Sequence, residues 1–229
     1  MDPVRFIGLG SGLVGFLLKY ILQFVLIILP ALTLHEMAHA YAAYLLGDMT
    51  AKDAGRLTLN PLRHIDPVGT VLLPMIMLAM AGFSFGWAKA VPVNPSNFKN
   101  ERVGFFLTSA AGPATNMVFA VVAAFAVRLF GPVALPLSIR DWLLLFARVN
   151  LVLMFFNLLP IPPLDGSRVI PLFLPDKALR RYHQVEQYGF GILMVLLVGI
   201  PFLFDIDPVG AYLKATVAPL LYALAGMRP

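Results

Sequence analysis

Long apolar runs separated by short polar connectors make up most of the chain. The connectors carry proline, glycine and charged residues, and no internal repeat or soluble domain interrupts the runs. A helix needs about 20 apolar residues to cross a bilayer, and the runs that approach or exceed this length are 13–46, 68–85, 103–130, 142–160, 190–204 and 209–224. The pattern predicts an all-α polytopic membrane protein with about 5–6 apolar segments.

The first run is longer than one perpendicular span requires, because a helix rises about 1.5 Å per residue. Pro30 lies inside it and lacks an N–H donor, so we expect a kink or a break there. No polar cleavage region follows the apolar residues, so the sequence predicts a retained segment rather than a cleaved signal peptide.

Positive charge favours one side of the membrane. The only charged residues of the connector 204–208 are Asp205 and Asp207. Three other connectors carry several basic residues each: 47–66 (Lys52, Arg56, Arg63), 86–102 (Lys89, Lys99, Arg102) and 159–181 (Arg168, Lys177, Arg180, Arg181). Since cytoplasmic connectors are enriched in Lys and Arg, we assign these three to the cytoplasm. The run 68–85 joins two of them, so we predict a re-entrant element there; an ordinary full span is the alternative.

Composition narrows the function further. The 229 residues are 59% hydrophobic and 13% charged, a balance typical of an integral membrane protein. The chain has no cysteine, which excludes disulfides, thiolate metal ligands and a thiol nucleophile. The net charge of +5 lies in short loops rather than on one polar face, so we expect a lipid bilayer as the partner and no nucleic acid.

Candidate chemistry begins at His35-Glu36-Met37-Ala38-His39, near the end of the first run. On a helix His35 and His39 lie on one face and can present ring nitrogens to one metal ion, as in zinc hydrolases. Glu36 lies at the flank of that site, where it can take a proton from a water whose pKa zinc lowers to about 7. The alternative is a chance spacing of ordinary helix residues.

A catalytic zinc needs a third protein ligand and one open position. Asp165 is our candidate, because it follows Pro160, Pro162 and Pro163 at the end of an apolar run. A carboxylate there is costly unless it pairs with a cation. The alternative is that Asp165 caps a helix beginning near Ser167.

His-Glu-x-x-His in an apolar helix, together with Asn157 to Gly166, resembles the site-2 protease family of intramembrane zinc metalloproteases. Gly112-Pro113-Ala-Thr-Asn116 resembles a third motif of that family. The resemblance covers about 31–175 and is to the compact prokaryotic branch that lacks a PDZ domain. It implies one Zn²⁺ per chain held by His35, His39 and Asp165, with Glu36 as the base and Asn157 near the substrate or oxyanion.

Two further residues are candidate catalytic groups. Asn116, an amide inside an apolar helix, suits either a hydrated active site or interhelical packing. His64 stands just before the proposed re-entrant element and can line the site or donate to an oxyanion; an exposed loop histidine is the alternative.

The sequence thus predicts one integral membrane metalloprotease domain over 1–229, with a catalytic core of about 13–175. Its expected activity is zinc-dependent cleavage of transmembrane segments of proteins or peptides in the cell membrane, with a multi-pass fold and the active site toward the cytoplasm. The extended stretches 55–60 or 85–93 are candidates to pair with the unwound substrate as an added strand. An intramembrane zinc transporter, or a metal-binding protein without peptidase activity, is the alternative; a transporter does not need Glu36.

Overall fold

The computed structural model describes residues 12–81, 86–131 and 136–228; the end of the predicted run 68–85 lies outside them. The regular structure in these ranges is helical, which confirms the all-α prediction. Three short 3-10 helices span Pro61–Arg63, Pro95–Asn97 and Asp165–Val169. The α-helices are α1 (Leu13–Gln23), α2 (Leu29–Leu45), α3 (Thr50–Asp53), α4 (Leu73–Ala81), α5 (Glu101–Phe130), α6 (Leu137–Asn157), α7 (Ile170–Phe173), α8 (Asp176–Glu186), α9 (Gly189–Met194), α10 (Ile200–Phe204) and α11 (Pro208–Ala225).

Pro30 does not break the first run. The wider π-helical segment Phe24–Ile28 joins α1 to α2, and Pro30 is the second residue of α2. Because proline lacks an N–H and its ring presses on the carbonyl four residues earlier, a wider preceding turn relieves the conflict. The same arrangement recurs at Pro67–Leu72 before Pro74 and at Val195–Gly199 before Pro201.

Three helices are long and apolar enough to cross a membrane: Leu18–Leu45, Glu101–Phe130 and Pro208–Ala225. Asp176–Glu186 and Gly189–Phe204 form a pair bent by 59°, which gives a fourth if the pair is one span. α6 has the length but also carries Arg140, Asp141 and Arg148, and it is not among these candidates. The chain is therefore a membrane protein with three to four candidate spans in the described residues.

The contacts divide the chain into two compact units. The first contains 1–31 and 113–229, and the second contains 32–112. In the first unit, three helices pack around a small-residue core in which alanines let the backbones approach closely. The buried residues come from α5, α6 and α11: Ala120, Ala123, Ala124, Ala147, Leu151, Met154, Val217, Leu221 and Ala225. The prediction of a single domain over 1–229 stays a prediction.

In the second unit, short helices begin at Asx-Pro pairs. Asn60, Asp66 and Asn94 each precede a proline at the first helical position, and each side chain accepts a hydrogen bond from a backbone N–H of the first turn. Proline suits that position because its missing donor would be unsatisfied there anyway. These local caps set where the segments around α2 turn.

Candidate metal centre

Two histidines of α2 face each other across one helical turn. His35 and His39 are 4% and 8% exposed, and their Nε2 atoms lie 3.0 Å apart. Two nitrogens bound to one tetrahedral zinc at about 2.0–2.1 Å would lie about 3.3 Å apart. Because two bare lone pairs at 3.0 Å repel each other, the pair requires a proton or a cation between the rings.

A backbone carbonyl of α5 orients the His39 ring. Its Nδ1 lies 2.7 Å from the carbonyl oxygen of Thr108, a buried contact. A carbonyl only accepts hydrogen bonds, so Nδ1 carries the proton and Nε2 keeps its lone pair. Metal-binding histidines are held in this way by a second hydrogen bond. The sequence interpretation missed Thr108, because no local pattern points to its carbonyl.

Gly112 keeps the space beside both rings open. A Cβ atom there would lie 2.4 Å from Nε2 of His39 and 2.6 Å from Cε1 of His35. Separations below about 3 Å are strongly repulsive, so any larger residue would displace an imidazole or itself. The structure therefore contains a cradle, next to the two Nε2 atoms, that a single methyl group would fill.

Asp165 is the first residue of the 3-10 helix Asp165–Val169. The N-cap positions of this helix and of α7 are Leu164 and Val169, so Asp165 does not occupy the capping position that was its alternative role. Gly166 allows the turn to lie against the end of α6, because a Cβ there would be 2.2 Å from the carbonyl oxygen of Leu158. This close approach accounts for glycine after Asp165.

His35 and His39 are residues of the kind that could hold a metal ion, and Asp165 as the third ligand stays a prediction. Two imidazoles and one carboxylate are a donor set typical of catalytic zinc. The proton assignment of His39 and the open space at Gly112 fit the same ion. The residues present therefore fit zinc.

Glu36, the predicted general base, follows His35 in α2. Its side chain is half-buried, and Oε2 accepts a long hydrogen bond, 3.3 Å, from the backbone N–H of Val91. The carboxylate thus lies beside the segment 86–93.

Within the second unit, the segment 86–93 is hydrogen-bonded along one edge to neighbouring residues. Trp87 N–H donates to Gly69 O at 3.0 Å and Lys89 N–H to His64 O at 2.9 Å, and Val91 N–H reaches Glu36. Bonds from alternate residues are the spacing expected of an extended chain, in which the N–H of Ala90 would face the other way. By contrast, 55–60 forms a turn and bends, with Gly55 at φ +67°, so the prediction of an extended stretch there is wrong.

Asp48 binds the loop 94–97, which follows this segment, through hydrogen bonds. Its fully buried carboxylate accepts hydrogen bonds from Thr50, from the Asn94 N–H at 2.8 Å and from the Asn97 side-chain amide at 2.7 Å. Burial by itself raises the pKa of Asp48, but these hydrogen bonds outweigh burial and hold the pKa below its usual value. The sequence interpretation missed this residue.

Asn157 ends α6, with its side chain half-buried. Its Nδ2 donates to the Leu153 carbonyl at 2.9 Å, which assigns the amide orientation because that carbonyl cannot donate. An amide nitrogen carries two hydrogens, and the second is the one that could stabilise an oxyanion. That role stays a prediction.

Asn116 is fully buried in α5 and donates from Nδ2 to Oδ1 of Asn150 in α6 at 2.9 Å. Asn150 in turn donates to the Phe146 carbonyl at 2.9 Å. This geometry is the interhelical amide pair expected of a packing role. A catalytic role for Asn116 stays a prediction. Asn150 was overlooked, although a second amide in an apolar run is a visible signal.

His64 is buried, with 2% of its surface exposed, so the alternative of an exposed loop histidine is wrong. Nε2 donates to the Thr58 carbonyl at 2.9 Å, while Nδ1 is buried with no hydrogen-bond partner among the described residues. The Nε2 hydrogen is therefore already used in the bond to Thr58. A catalytic role for His64 stays a prediction.

Comparison with known proteins gives consistent matches. The family model described as Peptidase family M50 matches residues 127–200. "Putative zinc metalloprotease YwhC" of Bacillus subtilis is 40% identical over 194 residues, covering 82% of each chain. Two proteins named "Putative zinc metalloprotease Rip2" match 86% of this chain. The one from Mycolicibacterium smegmatis is 31% identical, and the match covers 79% of its length. The one from Mycobacterium tuberculosis is 32% identical, and the match covers 80% of its length. No solved structure gives a significant match.

Proposed function

We propose that this chain cleaves transmembrane segments within the membrane. The chain belongs to peptidase family M50, the site-2 protease family, and is a zinc metallopeptidase. The one observation that carries the proposal is the position of the histidine pair within a candidate span. His35 and His39 lie inside the apolar helix Leu18–Leu45, which is 28 residues long. At about 1.5 Å per residue they are about 9–15 Å from its C-terminal end, inside a hydrocarbon core about 30 Å thick.

The proposed ligands of a single zinc ion are His35, His39 and Asp165. When bound, zinc would supply Lewis-acid polarisation of the scissile carbonyl and lower the pKa of a water molecule. Glu36 would accept a proton from the attacking water and return it to the amine of the departing segment. Water thus adds across the C–N bond, with its OH on carbon and its hydrogen on nitrogen. Asn157 would donate its second amide hydrogen to the oxyanion.

A transmembrane helix hides its peptide bonds in its own hydrogen bonds, so the substrate must unwind before attack. The segment 86–93 supports a place for the unwound strand. Its inner edge is occupied by the bonds at Trp87, Lys89 and Val91, and its outer edge presents Ala90, whose side chain is exposed. We propose that the substrate pairs with this outer edge next to Glu36.

We also propose that the element after α2 is re-entrant. The described residues Pro67–Leu72 and Leu73–Ala81 form one apolar helical stretch. Trp87, beyond that excursion, donates to the Gly69 carbonyl, and the Thr70 hydroxyl donates to the Trp87 carbonyl at 2.8 Å. The residues before and after this element therefore lie next to each other, which supports connectors on the same side of the membrane. We propose that both connectors are cytoplasmic in a multi-pass protein of the cell membrane.

The decisive test is cleavage of a single-span model peptide by the detergent-purified protein. We expect Glu36→Gln to abolish cleavage while retaining one zinc per chain, and Asp165→Asn to lose zinc as well. Glu101→Gln, the same change at the exposed start of α5, should cleave normally.

Cleavage that persists in Glu36→Gln would reject Glu36 as the base. If the wild type binds zinc, does not cleave, and instead carries zinc across liposome membranes independently of Glu36, the transporter replaces the peptidase as the function.

A further inference from the structure

Helix α8 has two opposed faces. Leu179, Tyr182 and Glu186 point inward at helical spacing. Lys177, Arg180 and Arg181 form an exposed stripe on the other side, at positions i, i+3 and i+4. A charged stripe alone is usually only solvated, so other features of α8 must identify a partner.

The inner face of α8 holds the turn that begins at Asp165. The Tyr182 hydroxyl donates to the Ser167 carbonyl at 2.8 Å, and Arg168 forms an ion pair with Glu186. Both contacts reach residues within three positions of Asp165. A displacement of α8 would therefore move this turn.

The setting of α8 points to a membrane surface. It is bent by 59° from the apolar helix Gly189–Phe204 that follows, so α8 inclines toward the bilayer plane when that helix crosses the bilayer. Aromatic side chains at both ends of α8 are largely exposed, Phe173 at 79% and Tyr188 at 65%. Aromatic rings beside basic residues are typical of helices at the headgroup level.

We propose that the exposed basic face of α8 binds anionic phospholipid headgroups and that this contact steadies the turn carrying Asp165. Charge complementarity selects the partner, because three exposed cations meet the phosphates of the bilayer in which the chain is embedded. The lipid contact is independent of the reaction; only its importance for Asp165 rests on the proposed function.

The first experiment measures lipid selection. The full chain is equilibrated with phosphatidylcholine and phosphatidylglycerol, and the lipids retained are counted by native mass spectrometry. We expect at least threefold enrichment of phosphatidylglycerol, lost in the triple variant Lys177→Gln, Arg180→Gln, Arg181→Gln. A matched variant removes three exposed cations elsewhere: Arg63→Gln, Lys99→Gln and Lys214→Gln. Equal retention in both variants, or no enrichment in the wild type, would overturn the lipid site.

The second experiment tests the coupling without using peptidase activity. Amide exchange of residues 165–169 is compared in nanodiscs with and without phosphatidylglycerol. We expect several-fold slower exchange with the anionic lipid in the wild type and no lipid effect in the α8 triple variant. Arg168→Gln should keep the lipid enrichment but lose the effect on exchange. Exchange that ignores the lipid in the wild type would overturn the coupling, whether or not the chain cleaves peptides.

Discussion

A Cβ atom at Gly112 would lie 2.4 Å from Nε2 of His39. The Gly112→Ala methyl would therefore occupy the space next to the proposed zinc ligands. We expect zinc affinity to fall by about tenfold or more, as for other disturbances around metal ligands. The measurement is zinc titration of the purified chain. Gly191→Ala is the matched control, because a Cβ there has nothing within 4 Å; equal affinity in both variants would show that the cradle is not a metal site.

Asp48 predicts a pH dependence of stability. Because its pKa is lowered in the folded chain, its stabilising contribution is fully present above the unfolded pKa of about 3.9 and is lost as the pH falls through the folded value. Asp48→Asn should cost about 2 kcal/mol at pH 7, since the buried donors lose a charged acceptor.

Thermal unfolding in detergent at several pH values tests this assignment. The gap in Tm between wild type and Asp48→Asn should close as the pH falls below about 4. Asp53→Asn, an exposed carboxylate in α3, is the control and should unfold like the wild type. A gap that is the same at pH 7 and pH 3 would contradict an ionic role for Asp48.

Substitutions at Asn116 and Asn150 test whether Asn116 serves helix packing or catalysis. A double-mutant cycle with alanine at both positions should give a coupling of about 0.6–1 kcal/mol in unfolding free energy, the usual range for hydrogen bonds between membrane helices. If packing is the main role, the zinc-loaded variants retain their kcat. A large loss of kcat in Asn116→Ala that Asn150→Ala does not share would instead assign Asn116 to the reaction.

Ala90 tests the proposed substrate edge. Ala90→Pro removes the Ala90 N–H, the donor that we propose for the substrate strand. We expect kcat/KM for a model peptide to fall about tenfold, the value of one lost hydrogen bond, with zinc content unchanged. Ala90→Val keeps the N–H and should cleave normally. Wild-type turnover in the proline variant would remove strand addition from the mechanism.

Several features follow from sequence alone because they depend on near neighbours. The i, i+4 spacing of His35 and His39 places both rings on one face of α2, and Asx-Pro pairs specify where short helices begin. Hydropathy likewise predicts an all-helical membrane protein. Pro30 marked a disturbance in the first helix, but the structure absorbs it in a π-helical segment rather than a break.

Other features depend on contacts between residues far apart in the chain, which no local pattern encodes. The Thr108 carbonyl that orients His39 is 69 residues away, and the Asn94 N–H bound by Asp48 is 46 residues away. Burial of His64 and the bends of 55–60 likewise depend on tertiary packing. The sequence determined which groups can do the chemistry; the tertiary structure decided their protonation, orientation and free space, because these depend on which backbone and side-chain atoms packing brings beside them.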